Sequence, residues 1–380
     1  MSEGAKTQAA ADTMASSSNN ANNTAARVVA LVLVLYGFLV SIGMLGRAFK
    51  MFSGGFVGDL VQSASDPLIG LFVGILVTSL VQSSSTTTSL VVALVGSGTM
   101  PVETAIPVVM GANIGTSVTN ILVSLGHINR GPEFRRAYAA ANVHDFFNVF
   151  AVLLLFPLQL TTNFLGVLSS GLANLFYDIG GLTFASPLKL MTAPAVRAAV
   201  HLVGPHPWLL MVASLVLMFS TLRHLVVLLK KLVISRVEAL FDQVIFRTAG
   251  RAMFFGLVIT ALVQSSSVTT SLAVPLAGAG ILTIEQIFPY TLGANVGTTI
   301  TAILAALAVG EVHAVTVAFA HMLFNLCGIS VIWPIPAIRR LPITMSEKMT
   351  QLAMFSRIIP VAWVLFFFYA LPFGAILLLR

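Results

Sequence analysis

Apolar runs of helix-spanning length alternate with short polar breaks along most of the 380 residues. They begin near Val28, Pro67, Val149, Leu209, Met253, Val312 and Ile358, and charged residues gather at their edges. A run of about 20 apolar residues crosses a ~30 Å hydrocarbon core as a helix, so the pattern predicts an all-α polytopic membrane protein. By that measure the chain has room for roughly eight to twelve segments. Ahead of the first run, 19 of the first 26 residues are Ala, Ser, Thr or Asn. That stretch reads as a flexible cytoplasmic tail, and it lacks the apolar region of a signal peptide.

An internal repeat dominates the remainder. Thr78 to Leu125 aligns without a gap on Thr260 to Leu307 at a constant offset of 182, with 26 identities in 48 positions. Each copy opens on LVQSSS, at Leu80 to Ser85 and at Leu262 to Ser267. Each then reaches a second block, GANIGT at Gly111 to Thr116 and GANVGT at Gly293 to Thr298. A weaker echo sets VHDFFN, Val143 to Asn148, against AHMLFN, Ala320 to Asn325. The apolar runs near Val28 and Leu209 extend the duplication by one helix per half. The predicted organisation is a tail over 1–26, a first repeat unit over 27–160, a mostly outer-face segment over 161–208, a second repeat unit over 209–337 and a C-terminal transmembrane segment over 338–380.

The repeated blocks are polar where lipid tolerates no polarity. Gln82 to Ser89 are all polar, and Gln264 to Ser267 with Thr269, Thr270 and Ser271 repeat the band. Such segments belong inside protein or along a cavity, and broken helices at matching positions of two halves point to a transporter's binding site. Turn-forming stretches follow at Gly96 to Pro101 and Gly278 to Thr283. The chain between band and turn is too short to cross the bilayer, which predicts a re-entrant helical hairpin carrying QSSS in each half. Glu103 and Glu285, just past the turns, read first as carboxylates at helix N-termini. Gly111, Gly115, Gly293 and Gly297 suit close packing.

Composition narrows the function. Only 9% of residues are charged and 57% are hydrophobic, with a mean hydropathy of +0.96; a soluble domain carries about 25% charge. A soluble enzyme and a nucleic-acid binder are both excluded, despite the net charge of +7. The cations read as topology instead. Arg223, Lys230, Lys231, Arg236, Arg247 and Arg251 cluster in mid-chain, whereas Thr161 to Trp208 holds only Lys189, Arg197 and Asp178, so the cluster is expected on the cytoplasmic side. Cys327 is the single cysteine, which rules out a disulfide scaffold.

Neither repeated block contains Lys, Arg or His. Burying an anion there meets a desolvation cost idealised at the order of 20 kcal/mol, while a helix N-terminus supplies about half a charge. The missing positive charge must arrive with the substrate, which points to cation-coupled anion transport. Asp145, flanked by Asn142, His144 and Asn148, stands at the expected mouth of the helix near Val149. With Asn148 at i+3 it offers oxygens to a sodium ion; pairing with Arg135 or Arg136 is the structural alternative. His144 and His321 read equally as packing histidines. On these residues alone an intramembrane serine hydrolase or a channel stays open, although neither QSSS block holds a histidine.

Two QSSS blocks, each followed by G-A-N-[IV]-G-T, with EFRRAYAAANVHDFFN (Glu133 to Asn148) after the first, resemble the type II sodium–phosphate cotransporter family. The resemblance runs from about Val28 to Leu379, and the short termini and lone cysteine look like a bacterial member. It implies sodium-driven uptake of inorganic phosphate through two inverted repeats with re-entrant hairpins. It further implies a multi-pass protein of the cell inner membrane with both termini cytoplasmic, no cofactor, sodium as cosubstrate and no nucleic-acid partner. The oligomeric state stays open, and sulfate is the nearest rival oxyanion. By motif and repeat equivalence, phosphate would be bound by Ser84, Ser85, Thr86, Thr87, Ser265, Ser266, Ser267, Asn113 and Asn295. Sodium would be bound by Gln82, Thr116, Thr119, Asp145, Asn148, Gln264, Ser265, Ser266, Thr298 and Thr301. Ala139, Ala141 and Asp145 match the electrogenic members, while His127 and Arg130 replace a Gln and an Asp of related chains, which bears on the number of sodium ions.

Overall fold

The same helix–break–helix unit is formed twice, once in each repeat. The computed structural model describes residues 26, 29–52, 66–179, 187–229 and 245–379. In it the unit consists of α2 (Pro67–Val81) and α3 (Ser84–Gly96), and again of α10 (Ala249–Val263) and α11 (Ser266–Gly278). Helix α1 (Val29–Met51) precedes the first unit. Between the units run α4 (Val102–Thr116), α5 (Val118–Leu125), α6 (Gly131–Thr162), α7 (Phe164–Ile179), α8 (Pro187–Val203) and α9 (Pro207–Leu229). After the second come α12 (Ile284–Val309), α13 (Val312–Ile332), α14 (Pro336–Phe355) and α15 (Ile358–Leu379), the last with a π-helical stretch at Phe366–Ala370. No strand occurs among the described residues. Residues 1–25 of the expected tail and the cations Lys230, Lys231 and Arg236 lie outside them.

Among the described residues, seven helical segments are long and apolar enough to cross a membrane: α1, the α4–α5 pair, α6, α9, α12, α13 and α15. The paired units are shorter. Helices α2 and α10 have 15 residues each, and α3 and α11 have 13. At 1.5 Å per residue they reach only about 20–22 Å.

Local chemistry sets the breaks. Helices α2 and α10 both end on a glutamine in the left-handed region, Gln82 (φ 54°) and Gln264 (φ 57°). Ser83 and Ser265 then cap α3 and α11, accepting from the N–H of Thr86 at 3.2 Å and of Val268 at 3.4 Å. After each second helix a left-handed glycine, Gly98 or Gly280 (both φ 78°), turns the chain. Glu103 and Glu285 sit in the first turns of α4 and α12, where a carboxylate complements the helix dipole.

Packing repeats as well. Helix α2 lies on α4 as α10 lies on α12. A Cβ on Gly111 would fall 2.0 Å from the Leu71 carbonyl oxygen, and one on Gly293 would fall 1.8 Å from that of Met253. No side chain fits at either contact, so backbone meets backbone. Gly74 and Gly256 make the same approach at the same offset of 182, which carries the duplication upstream of Thr78.

One expectation is revised. Helix α6 begins at Gly131, not near Val149, and runs for 32 residues. Its start was masked by charge: Arg135 and Arg136 face outward while Phe134, Ala137 and Tyr138 are buried. Asp145 therefore lies well inside a helix and not at its mouth. The described part of 161–208, expected as an inter-repeat segment, holds α7 and α8, and α14, with polar and charged positions along it, precedes the last span.

Candidate functional site

The two QSSS junctions meet. Helix α3 packs against α12, and α11 packs against α5, so each junction is embedded in the opposite repeat. The Ser85 hydroxyl donates to the backbone carbonyl of Gln264 at 3.2 Å, which ties the first block to the second across 179 positions. Ser84, Ser85, Thr86 and Thr87 open α3, Ser266 and Ser267 open α11, and all six are buried. The first N–H groups of a helix have no partner within it and carry partial positive charge. Two helix starts thus bring backbone donors and hydroxyls to one region, an arrangement that suits an oxyanion.

A glycine would hold the left-handed conformation without strain. A glutamine at both junctions adds an amide there, and the two amides differ. Gln264 is buried, and its Oε1 accepts from the Thr301 hydroxyl at 2.7 Å while its Nε2 donates to Ala261 O. Gln82 is exposed, and the hydroxyl of Thr119, the equivalent of Thr301, has no partner. Thr116 and Thr298 donate back to their own helices, to Ala112 O at 2.9 Å and Ala294 O at 3.1 Å.

A second polar set lies between the repeats: Asn113, Asn148 and Asn295 were site candidates in the sequence, His144 read equally as a packing residue, and Asn120 was not singled out. The Thr270 hydroxyl donates to Asn120 Oδ1 at 2.9 Å, and Asn120 Nδ2 lies 3.0 Å from His144 Nδ1. His144 Nε2 lies 2.7 Å from Asn295 Oδ1, and Asn295 Nδ2 donates to Asn148 Oδ1 at 2.7 Å. Asn148 Nδ2 reaches Asn113 O at 2.9 Å and Ser117 Oγ at 3.2 Å. An amide nitrogen only donates, so Asn120 obliges His144 Nδ1 to accept and leaves the ring hydrogen on Nε2. Both ring nitrogens are thereby occupied and neither activates a serine. Asn113, the repeat equivalent of Asn295, turns its amide onto Val109 O of its own helix at 3.1 Å.

Asp145 stands apart from this set. It is 0% exposed, and neither carboxylate oxygen has a hydrogen-bond partner. The Ser117 hydroxyl and the Trp363 indole face it, both short of hydrogen-bond geometry. Arg136, one alternative partner, instead donates from Nε to Gly278 O at 2.9 Å, at the end of α11; Arg135 is exposed. Asn142 Oδ1 and Tyr138 Oη, at i−3 and i−7 on the same face of α6, are likewise buried and unpartnered. The helical spacing of Tyr138 and Asn142 from Asp145 was readable in the sequence. The Asn120 contribution was not, because its repeat equivalent is Ala302.

Among the described residues, seven helices of membrane-crossing length and a polar interior assembled from two repeats define an integral membrane protein with a buried polar site. Residues 38–184 and 217–332 match the family described as Na+/Pi-cotransporter, and the chain belongs to that family. It is 32% identical over 443 residues to sodium-dependent phosphate transport protein 2B of Homo sapiens, covering 91% of this chain and 64% of that protein. It is 35% identical over 416 residues to sodium-dependent phosphate transport protein 2A of Rattus norvegicus, covering 89% and 65%. The chain thus spans a little under two thirds of these relatives' length. No solved structure matches it.

Proposed function

We propose that the protein carries inorganic phosphate into the cell together with sodium ions, as an electrogenic secondary transporter and not an enzyme. The observation that carries this reading is the Ser85–Gln264 contact, which joins two largely buried QSSS junctions without Lys, Arg or His. Family membership and the printed names of the relatives support the choice of sodium and phosphate.

In this reading α2–α3 and α10–α11 are re-entrant hairpins of two inverted repeats, in an inner membrane with both termini cytoplasmic. Phosphate lies between the starts of α3 and α11. It takes hydroxyls and backbone N–H groups from Ser84, Ser85, Thr86, Thr87, Ser265, Ser266 and Ser267, with Asn113 and Asn295 beside them. One sodium ion uses Gln264, Ser265, Ser266, Thr298 and Thr301, and Gln82, Thr116 and Thr119 form the equivalent corner of the first repeat. Another uses Asp145, Asn148 and, on the strength of its free oxygen, Asn142. A lone buried carboxylate is expensive, and a sodium ion neutralises it.

Radiolabelled phosphate uptake into proteoliposomes tests the function. Uptake is expected to saturate in both ions and to fall to background when potassium replaces sodium. Equal uptake in both salts without a proton gradient would sink the reading, and sulfate competing as strongly as unlabelled phosphate would reassign the anion. Ser85→Ala and Ser266→Ala are each expected to raise the phosphate concentration for half-maximal uptake by about 5- to 30-fold, the effect of losing one donor at ~1–2 kcal/mol. Unchanged values in both variants at matched protein levels would mean that the two blocks do not share a site.

A further inference from the structure

The two repeats are alike in sequence but not in the bonds they make. In VHDFFN, His144 and Asn148 both bond to Asn295 of the other repeat. In AHMLFN the equivalent His321 and Asn325 are each 1% exposed, yet both ring nitrogens of His321 and the Oδ1 of Asn325 have no partner. Their helix, α13, packs on α4, which carries Asn113, the equivalent of Asn295. By repeat the hairpin corners divide the other way round, but again the bonded set lies on α12. Gln264 is held by Thr301, while Gln82 is exposed and Thr119 is unpartnered.

Buried polar groups without partners are costly, and here three such atoms lie on one turn of α13. Their equivalents on α6 show which bonds this sequence pattern makes when it closes. We propose that His321 and Asn325 are closing contacts of a second state of the transport cycle, in which they bond Asn113 while the bonds of His144 and Asn148 to Asn295 are released. In that state Gln82 swings inward to Thr119, and the Gln264–Thr301 bond opens. The two repeats exchange bonding patterns, so each state leaves one set of polar groups unpaired and neither state dominates outright. The inference rests on the transport reading above. It adds two positioning residues, His321 and Asn325, that lie outside the QSSS, GAN and Asp145 groups.

Cysteine pairs test it, since Cys327→Ser gives a background free of other cysteines. One pair is Asn113→Cys with Asn325→Cys, and the comparator is Asn148→Cys with Asn295→Cys. Oxidative cross-linking is measured in proteoliposomes while sodium and inorganic phosphate are titrated. The expected result is reciprocity, with conditions that raise one cross-link lowering the other. Parallel yields, or a comparator that links while the Asn113/Asn325 pair never does, would overturn the proposal. If the cysteine pairs fail to fold, His321→Leu decides. Its thermal midpoint in detergent should hold or rise, because an unpaired buried imidazole is removed, while phosphate exchange slows about tenfold through loss of a hydrogen bond in the other state. A lowered midpoint with unchanged exchange would make His321 a packing residue of the present state and overturn the proposal. Wild-type uptake indifferent to sodium would sink the transport reading by itself, whatever the cross-links do.

Discussion

Asp145→Gly is expected to abolish the voltage dependence of phosphate uptake while leaving a slower, measurable flux. The carboxylate is fully buried and without a hydrogen-bond partner, and neither neighbouring arginine is turned to it. In the proposed transport reading a sodium ion would supply the missing counter-charge and move through part of the membrane field. An elementary charge crossing the full potential is worth ~2.3 kcal/mol per 100 mV, so uptake should accelerate when the interior is negative. Glycine removes the carboxylate without adding bulk, and with it the site for that ion. Uptake at clamped diffusion potentials in proteoliposomes reads the effect directly. Undiminished voltage dependence in Asp145→Gly would remove Asp145 from the sodium site. Asp145→Asn separates charge from shape: it should also lose voltage dependence while keeping more of the native thermal stability than the glycine variant.

The scaffold was largely legible in the chain, and the reason is that membrane helices are specified locally. The offset of 182 between Thr78–Leu125 and Thr260–Leu307 reappears in the left-handed glutamines, the serine caps and the glycine contacts, because each depends on a few neighbouring residues. The start of α6 was lost to view because Arg130, Glu133, Arg135 and Arg136 interrupt its apolar pattern. In the structure these side chains sit on the exposed or half-buried side of an amphipathic first turn. The site was legible only in part. That QSSS and GAN blocks hold the polar interior follows from composition, but which amide meets which hydroxyl depends on packing between segments more than a hundred positions apart. Gln82 and Gln264 have the same neighbours, Leu-Val before and Ser-Ser-Ser after. One is buried and the other exposed, and no window of sequence around them carries that difference. His144 has the same limit. Its role comes from Asn120 and Asn295 on other helices, and from its own surroundings it read as a packing residue.

Asn295→Leu is expected to destabilise the protein severely, and Asn113→Leu only slightly, although the two asparagines occupy equivalent places in the repeat. Asn295 accepts from His144 and donates to Asn148, both at 2.7 Å, within a buried set. Leucine keeps the γ-branched shape but strands the His144 N–H and the Asn148 carbonyl. Each unpaired group costs about 1–3 kcal/mol, so the variant loses roughly 2–6 kcal/mol, which is a large share of a typical folding stability of about 5–15 kcal/mol. The Asn113 side chain bonds only to Val109 O of its own helix, and its loss strands no side chain elsewhere in this state. Thermal unfolding of both variants in detergent, followed by tryptophan fluorescence, compares them under one condition. The cause is checked by adding His144→Leu to Asn295→Leu. With the imidazole gone, one stranded group disappears, so the double variant should be less destabilised than the sum of the two single changes. Equal losses for Asn295→Leu and Asn113→Leu, or strict additivity with His144→Leu, would mean that the bonds to Asn295 do not hold the repeats together.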